Sequence, residues 1–169
     1  FKSFSSKKLM FEKFPRIPYD EAMLKYGSDK PDLRNPLLIY DLTNIFTRED
    51  VTFDIFKKLV KAGSKVRCIV TKKTHDKPRS FFDNIDKWAK EEGASGLAYF
   101  TLEKNEKISA KGPVGKFFKE DALKEIMKIT SSEVGDSLFF TCGKKGDVEK
   151  ISSLAREKIA KDLKLIDES

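Results

Sequence analysis

The chain has 169 residues, 39% of them hydrophobic and 36% charged, with a formal net charge of +7 and a pI near 9.2. No apolar run approaches the ~20 residues that span a bilayer, and two cysteines with one histidine are too few ligands for an ordinary zinc site. The composition therefore predicts one folded domain, or one domain with pieces of a neighbouring domain, and gives no indication of a membrane span or a structural metal site.

The cysteines indicate the redox compartment of the protein, and the first residues bear on its targeting and on whether the chain is part of a longer protein. Cys68 and Cys142 lie inside apolar runs, which favours buried free thiols in a reducing, cytoplasmic setting over a disulfide. The chain opens with "FKSFSSKKLMFEKF", which lacks a continuous apolar segment of the signal-peptide type. Because it also lacks an initial methionine, we expect a piece of a longer protein.

The first predicted element is a short helix followed by a constrained connector. Pro18 suits an early helical position, and Asp20 and Glu21 in the first turn complement the helix dipole. Gly27 can adopt the left-handed conformation that ends a helix. In "YGSDKPDLRNPL" (26–37), each proline biases the preceding residue toward extended geometry. The charges of this stiff connector either face water or are held at fixed angles, and the residues alone leave both interpretations open.

Basic residues concentrate in one segment, 57–79. It contains nine Lys or Arg against the single acid Asp76, so its charge of +8 exceeds that of the whole chain. A local basic surface suits phosphate backbones, and a solvated lysine-rich surface is the alternative. The candidate phosphate contacts of this segment are Lys57, Lys58, Lys61, Lys65, Arg67, Lys72, Lys73, Lys77 and Arg79.

Hydrophobic periodicity predicts an α+β fold. Apolar runs rich in β-branched and aromatic residues predict strands at 64–71, 95–101 and 136–142, with a hairpin-like stretch after 98 and a short strand near 51–55. Helical spacing predicts helices at 80–92, with Ser80 and Asp83 spaced like a capping box, at 118–130, and from a cap at Asp147 onward. We expect a mixed or mostly antiparallel sheet with helices packed on one face.

The sequence offers little evidence of catalytic chemistry. His75 has no nucleophile motif beside it, which favours a solvated loop histidine over a catalytic base. The stretch "CGKKGDVEK" lacks the G-x-x-x-x-G-K-[ST] pattern, so a turn before a helix is favoured over a phosphate loop.

Several longer stretches are similar to one known family. The segment "FPRIPYDEAMLKYGSDKPDLRNPL" (14–37) resembles the region of bacterial-type aspartyl-tRNA synthetases between class II motifs 2 and 3, just before their inserted GAD domain. The stretches "EEGASGLAYF" (91–100), "KGPVGKFF" (111–118) and "GDSLFF" (135–140) resemble runs of that insertion, which amidotransferase B subunits share. The ending "AREKIAKDLKLIDES" (155–169) resembles the return into the catalytic domain.

The resemblance implies a division of the chain and a role for the parent enzyme. Residues 1–37 would be a flank of the catalytic domain, 38–150 the GAD insertion and 151–169 the helix and return segment. The parent would be a cytoplasmic, homodimeric ligase that uses ATP and magnesium to join aspartate to tRNA. The insertion would position the acceptor side of the tRNA, or would instead be a structural spacer or protein-contact module.

The resemblance also implies what this chain lacks. The arginine-bearing motifs 2 and 3 do not occur in it, and "FTRED" (46–50) echoes motif 2 only by chance. We therefore expect no catalytic, cofactor-binding or metal-binding residue here, and no activity of the chain alone. The connector residues that match the family pattern, without individual roles, are Tyr26, Gly27, Ser28, Asp29, Lys30, Pro31, Asp32 and Arg34.

Overall fold

The computed structural model describes residues 13–166. The helices in this part of the chain are α1 (Tyr19–Tyr26), α2 (Asp54–Lys61), α3 (Arg79–Glu91), α4 (Glu120–Thr130) and α5 (Lys145–Asp162). The strands are β1 (Ile39–Asp41), β2 (Lys65–Thr71), β3 (Ala98–Lys104), β4 (Ile108–Lys111) and β5 (Ser137–Gly143). Two short 3₁₀ helices occupy Thr43–Thr47 and Gly115–Phe117.

The strands form one antiparallel sheet in the order β1-β2-β5-β3-β4. In its centre, Cys68 of β2 lies opposite Phe140 of β5, and Tyr99 of β3 lies opposite Phe139. Only β3 and β4 form a simple hairpin, joined by a short turn. The α+β class and the mostly antiparallel sheet are confirmed.

Helices cover both faces of the sheet, so the prediction of helices on one face is wrong in this detail. One core contains Cys68, Phe100 and Phe140 together with residues of α4. The other contains Ile69 and Phe139 together with residues of α3 and α5. Successive strand residues point to opposite faces, and in β2 the six residues after Lys65 are all buried, which requires cover on both sides.

Some local predictions also need correction. Val51 forms an isolated bridge to Phe118, and α2 begins at Asp54, so no strand forms at 51–55. Helix α5 begins two residues before Asp147, which therefore lies in the first turn rather than at the cap. Helix α3 begins at Arg79 without a side-chain cap, so Ser80 does not cap it. The strand β1 follows the connector and was not predicted.

Both cysteines are free thiols, as predicted, but only Cys68 is buried, whereas Cys142 is half-buried. Burial raises the pKa of Cys142 to about 11 and also raises the pKa of Cys68. Each thiol therefore favours the neutral form in the folded chain. The contribution of each neutral thiol to the free energy of unfolding is fully present at a pH below the pKa of the unfolded state. It is lost as the pH rises through the pKa of the folded state.

We expect alkylation of Cys142 by iodoacetamide at pH 8 to be about 100-fold slower in the folded chain than in urea, because the thiolate is the nucleophile. Mass spectrometry of timed samples measures this rate, and Cys142→Ser assigns the remaining signal to Cys68. Equal labelling rates with and without urea would contradict the half-buried environment of Cys142.

The helices of residues 13–166 include none with the length and apolar character that a membrane span requires.

Candidate functional site

The connector is packed against the last helix. Gly27 ends α1 in the left-handed conformation (φ 67°), and its N–H donates to the Met23 carbonyl at 3.0 Å. A Cβ at Gly27 would lie 2.6 Å from the Glu149 carbonyl oxygen of α5. Glycine is therefore needed at this position both for its backbone conformation and for close contact with the helix.

Arg156 of α5 holds the other end of the connector. Its guanidinium is buried and donates to three carbonyl oxygens, those of Leu37 (2.6 Å), Asn35 (2.7 Å) and Asp32 (3.1 Å). In return, the Asn35 amide donates to the Arg156 carbonyl at 3.1 Å. The guanidinium also lies 4.9 Å from the centre of the Tyr26 ring, a cation–π distance. Burial lowers the pKa of Arg156, while Tyr26 and Asp32 act in the opposite direction.

The charged connector residues take local roles. The Asp32 carboxylate accepts hydrogen bonds from the backbone and side chain of Arg34, which lowers the pKa of Asp32. The Ser28 hydroxyl accepts the Lys30 N–H at 3.1 Å. Asp29 and Lys30 are exposed. Hydrogen bonds within the turns and the contacts of Arg156 thus fix the path of the connector.

The nine predicted phosphate contacts fall into two groups at opposite ends of β2. Seven strand residues at about 3.3 Å each place Lys65 and Lys72 about 23 Å apart. At the first end, Lys58, Lys61 and Lys65 are exposed. At the second end, the loop between β2 and α3 carries the exposed residues Lys72, Lys73 and Lys77, and Arg79 opens α3.

Three of the nine cations make buried or partly buried contacts within the protein, and Arg79 forms an exposed pair with Asp83 on the surface of α3. Lys57 donates to the carbonyl oxygens of Arg48 and Val51 at 2.7 and 2.8 Å. Arg67 is buried and pairs with Asp41 at 3.1 Å, so it does not face a phosphate surface. Lys72 pairs at 2.9 Å with Asp136, whose side chain is 1% exposed.

Asp136 organises the loop at the second end of β2. Besides the ion pair with Lys72, its carboxylate accepts the backbone N–H groups of Lys73 (3.0 Å) and Glu133 (2.8 Å). Lys73 adopts a positive φ of 52°, which is uncommon for a lysine. The buried carboxylate holds the backbone of this loop in place while the Lys73 side chain stays exposed.

Next to this loop lies a cleft of about 530 Å³. The floor of the cleft is the part of β3 and β4 that helix α3 does not cover. Tyr99 and Thr101 of β3 lie on the same face of the sheet there, and Lys111 of β4 lies opposite Thr101. The loop and the start of α3 form one wall, and residues 111–113 form the other. Lys77, Arg79 and Lys111 contribute three cations to its lining, against the single carboxylate of Glu103.

Sequence reasoning missed Arg156, Asp136 and Lys111. Arg156 stands beside the apolar residues Ala155 and Ile159, but a charged residue in a lysine-rich helix normally indicates a solvated position. Lys111 belongs to "KGPVGKFF", a stretch noted only for its resemblance. Lys111 lines the same cleft as Arg79 only because β4 pairs with β3. Local sequence patterns do not specify which strands pair.

Among the described residues, no cluster of three or more His, Cys, Asp or Glu side chains is arranged to hold a metal ion. The site consists of a cleft lined by three cations and a hydrogen-bonded junction between the connector and α5, and its side chains offer positive charge and hydroxyl groups.

Comparison with known proteins agrees with this architecture. The family model of the GAD domain matches residues 56–152, from α2 into α5. The chain is 80% identical over all 169 residues to an aspartate–tRNA(Asp/Asn) ligase of Pelagibacter ubique, of which it covers 28%. It is 44% identical over 166 residues (98% of the chain, 28% of the relative) to the ligase of that name from Beijerinckia indica. It is 48% identical over 165 residues (97% of the chain, 27% of the relative) to that of Wolbachia sp. subsp. Drosophila simulans. The chain therefore spans just over a quarter of these bacterial ligases, and it belongs to the GAD domain family.

Proposed function

We propose that the chain is the GAD-containing part of an aspartate–tRNA ligase and that it positions the acceptor side of the tRNA. The names of the similar proteins include both tRNA(Asp) and tRNA(Asn), so we propose that the whole enzyme charges both. In this proposal the whole enzyme is a cytoplasmic homodimer. It binds ATP and magnesium outside this chain, and the chain alone does not activate aspartate.

The observation that supports tRNA positioning is the group of cations around one end of β2. Lys73, Lys77 and Arg79 are exposed there, and Lys111 faces the same cleft from β4. Arg79 lies 3.5 Å from Asp83, and Lys111 lies 3.9 Å from Glu103, both as exposed pairs. Such pairs contribute about 0–1 kcal/mol, so a phosphate can replace either acid at little cost.

A second candidate function is a rigid spacer or protein-contact module, as in a tRNA-dependent amidotransferase-like assembly. The contacts of Arg156 favour the spacer, because they bind the connector and α5 into one unit. A rigid junction transmits the orientation of the insertion whether or not its surface contacts RNA. The two functions differ in whether the loop cations contribute to tRNA affinity.

We expect the chain to bind tRNA weakly, with a slope of log affinity against log salt of about 2 to 3, as three phosphate contacts would produce. Replacing Lys73, Lys77 and Arg79 by glutamine should remove most of this slope. Affinity should fall similarly for cognate and non-cognate tRNA, because backbone contacts do not read sequence. Lys72 is left intact, since its loss would leave the buried Asp136 carboxylate without its cation.

The matched control is the triple variant Lys58→Gln, Lys61→Gln and Lys65→Gln at the other end of β2. It removes the same charge from exposed positions and should leave most of the salt slope. Fluorescence anisotropy at several salt concentrations gives the slopes. Equal loss in the two variants would attribute binding to net charge, and unchanged binding in the loop variant would favour the spacer.

A further inference from the structure

The cleft beside the loop has features that phosphate contact alone does not explain. Tyr99 is 8% exposed, and its ring stacks on Phe82 with centroids 4.5 Å apart and planes at 11°. Tyr99 lines the cleft, and among residues 13–166 its hydroxyl group makes no hydrogen bond to the protein, although it is not one of the buried atoms without a partner. The ring is therefore buried while the hydroxyl opens into the cleft, where it is available to a ligand.

The hydroxyl of Tyr99 is suited to donate a hydrogen bond. Burial raises the pKa of Tyr99, with Asp83 acting in the same direction and Arg79 opposing it. The hydroxyl therefore stays protonated at neutral pH. Tyr99 stacks on Phe82 and lines the cleft together with Arg79, so it lies beside the first turns of α3. That helix has no acidic residue in its first turn and no side-chain cap. An anion would be stabilised there by the helix dipole as well as by Arg79.

The walls of the cleft restrict the size of the ligand. Gly112 lies so close to β3 that a Cβ there would be 3.1 Å from the Tyr99 carbonyl oxygen. Its φ of 133° also requires glycine. The loop of residues 111–113 is thus held tightly against β3 and makes a fixed wall. A volume of about 530 Å³ is in the usual range for small-molecule sites and is far too small for an RNA double helix.

We propose that this cleft binds an unpaired nucleotide of single-stranded RNA, with its phosphate held by Arg79 and Lys111 and hydrogen-bonded by the Tyr99 hydroxyl. The inference rests on the proposed tRNA contact and specifies which form of RNA is bound. Unpaired ends and loops are the parts of RNA that enter pockets, whereas A-form helices present their grooves and backbone. Because Phe82 already stacks on Tyr99, the cleft offers phosphate and hydroxyl contacts rather than a stacking platform, and little base preference is expected.

The experiment titrates the chain with a fluorescent single-stranded RNA of about eight nucleotides, within the usual site size, and with a blunt duplex of the same strand. We expect the single strand to bind about tenfold more tightly than the duplex. Lys111→Gln should weaken single-strand binding about fivefold, and Tyr99→Phe about threefold, since each removes one hydrogen bond to an anion. Amide NMR shifts on adding the single strand should concentrate at residues lining the cleft.

Lys107→Gln is the matched control, because Lys107 is exposed in the same hairpin but does not line the cleft. It should change single-strand affinity less than twofold. Thermal melts establish that each variant is folded. Equal binding of duplex and single strand, or equal effects of the Lys111 and Lys107 substitutions, would overturn the inference. Even with that result, loss of salt-dependent tRNA binding in the variant with glutamine at Lys73, Lys77 and Arg79 would support the proposed tRNA contact. The experiments can therefore reject one proposal while the other stands.

Discussion

A chain that ends at Lys150 is expected to lose its cooperative fold, although all five strands described above would remain. The truncation removes the part of α5 that carries Ile151, Ala155 and Ile159, which are 9%, 0% and 0% exposed. Ala155 and Ile159 pack with Ile69 and Phe139 on one face of the sheet. Deleting a single buried isoleucine side chain costs about 2–5 kcal/mol, and a domain has about 5–15 kcal/mol in total.

Urea unfolding followed by circular dichroism tests this expectation. The control chain ends at Ile166 and keeps all of α5, so it should show the same midpoint and the same dependence on urea as the complete chain. A cooperative transition of the 1–150 chain with an unchanged urea dependence would contradict the role of α5 in the core. The division at residues 38–150 remains a prediction, but it cuts a continuous helix whose second half covers the sheet.

The central elements could be predicted because their burial follows simple periods. In β3 and β5, consecutive apolar and aromatic residues mark strands covered on both faces, and in α4 the buried residues recur at helical spacing. The location of the helices on two faces was harder to predict. Arg67 and Thr71 are buried polar residues of β2 that share a face with Ile69, on the α5 side. Polar residues at alternate positions of a strand normally indicate a solvated face.

The candidate site could be predicted only in part, for a geometric reason. The nine cations are neighbours in sequence, but a seven-residue strand separates them into two groups. The cleft joins residues from β2–α3, β3 and β4, and only the register Thr101–Lys111 brings Lys111 to it. A charge count therefore identifies the basic segment but does not show which of its residues lie beside the same cleft.

Arg156→Met is expected to destabilise the chain by about 3–5 kcal/mol, because three carbonyl oxygens lose a hydrogen bond to a charged donor and each unsatisfied acceptor costs about 1–3 kcal/mol. The substitution removes the donor for the carbonyl oxygens of Asp32, Asn35 and Leu37. Each carbonyl would then lie against an apolar side chain or require water to enter the junction. Arg156→Lys keeps the charge but not the planar fork that reaches several carbonyls, so it should be intermediate.

Hydrogen exchange distinguishes loss of the junction from loss of the whole fold. The Leu37 amide donates to the Asn35 side chain at 3.0 Å, and that side chain in turn donates to the Arg156 carbonyl. In Arg156→Met the backbone carbonyl of residue 156 remains, but the guanidinium bonds to the Asn35 and Leu37 carbonyl oxygens are lost. The turn at Asn35 is then held less firmly, so the Leu37 amide should lose protection first, while amides in the central β2–β5 pairing keep protection up to the reduced global stability. Lys161→Met removes a charge from an exposed position of the same helix and should change stability by about 0.5 kcal/mol or less. If Arg156→Met left the exchange rate of Leu37 unchanged, the connector would owe its fixed path to Gly27 and its prolines rather than to Arg156.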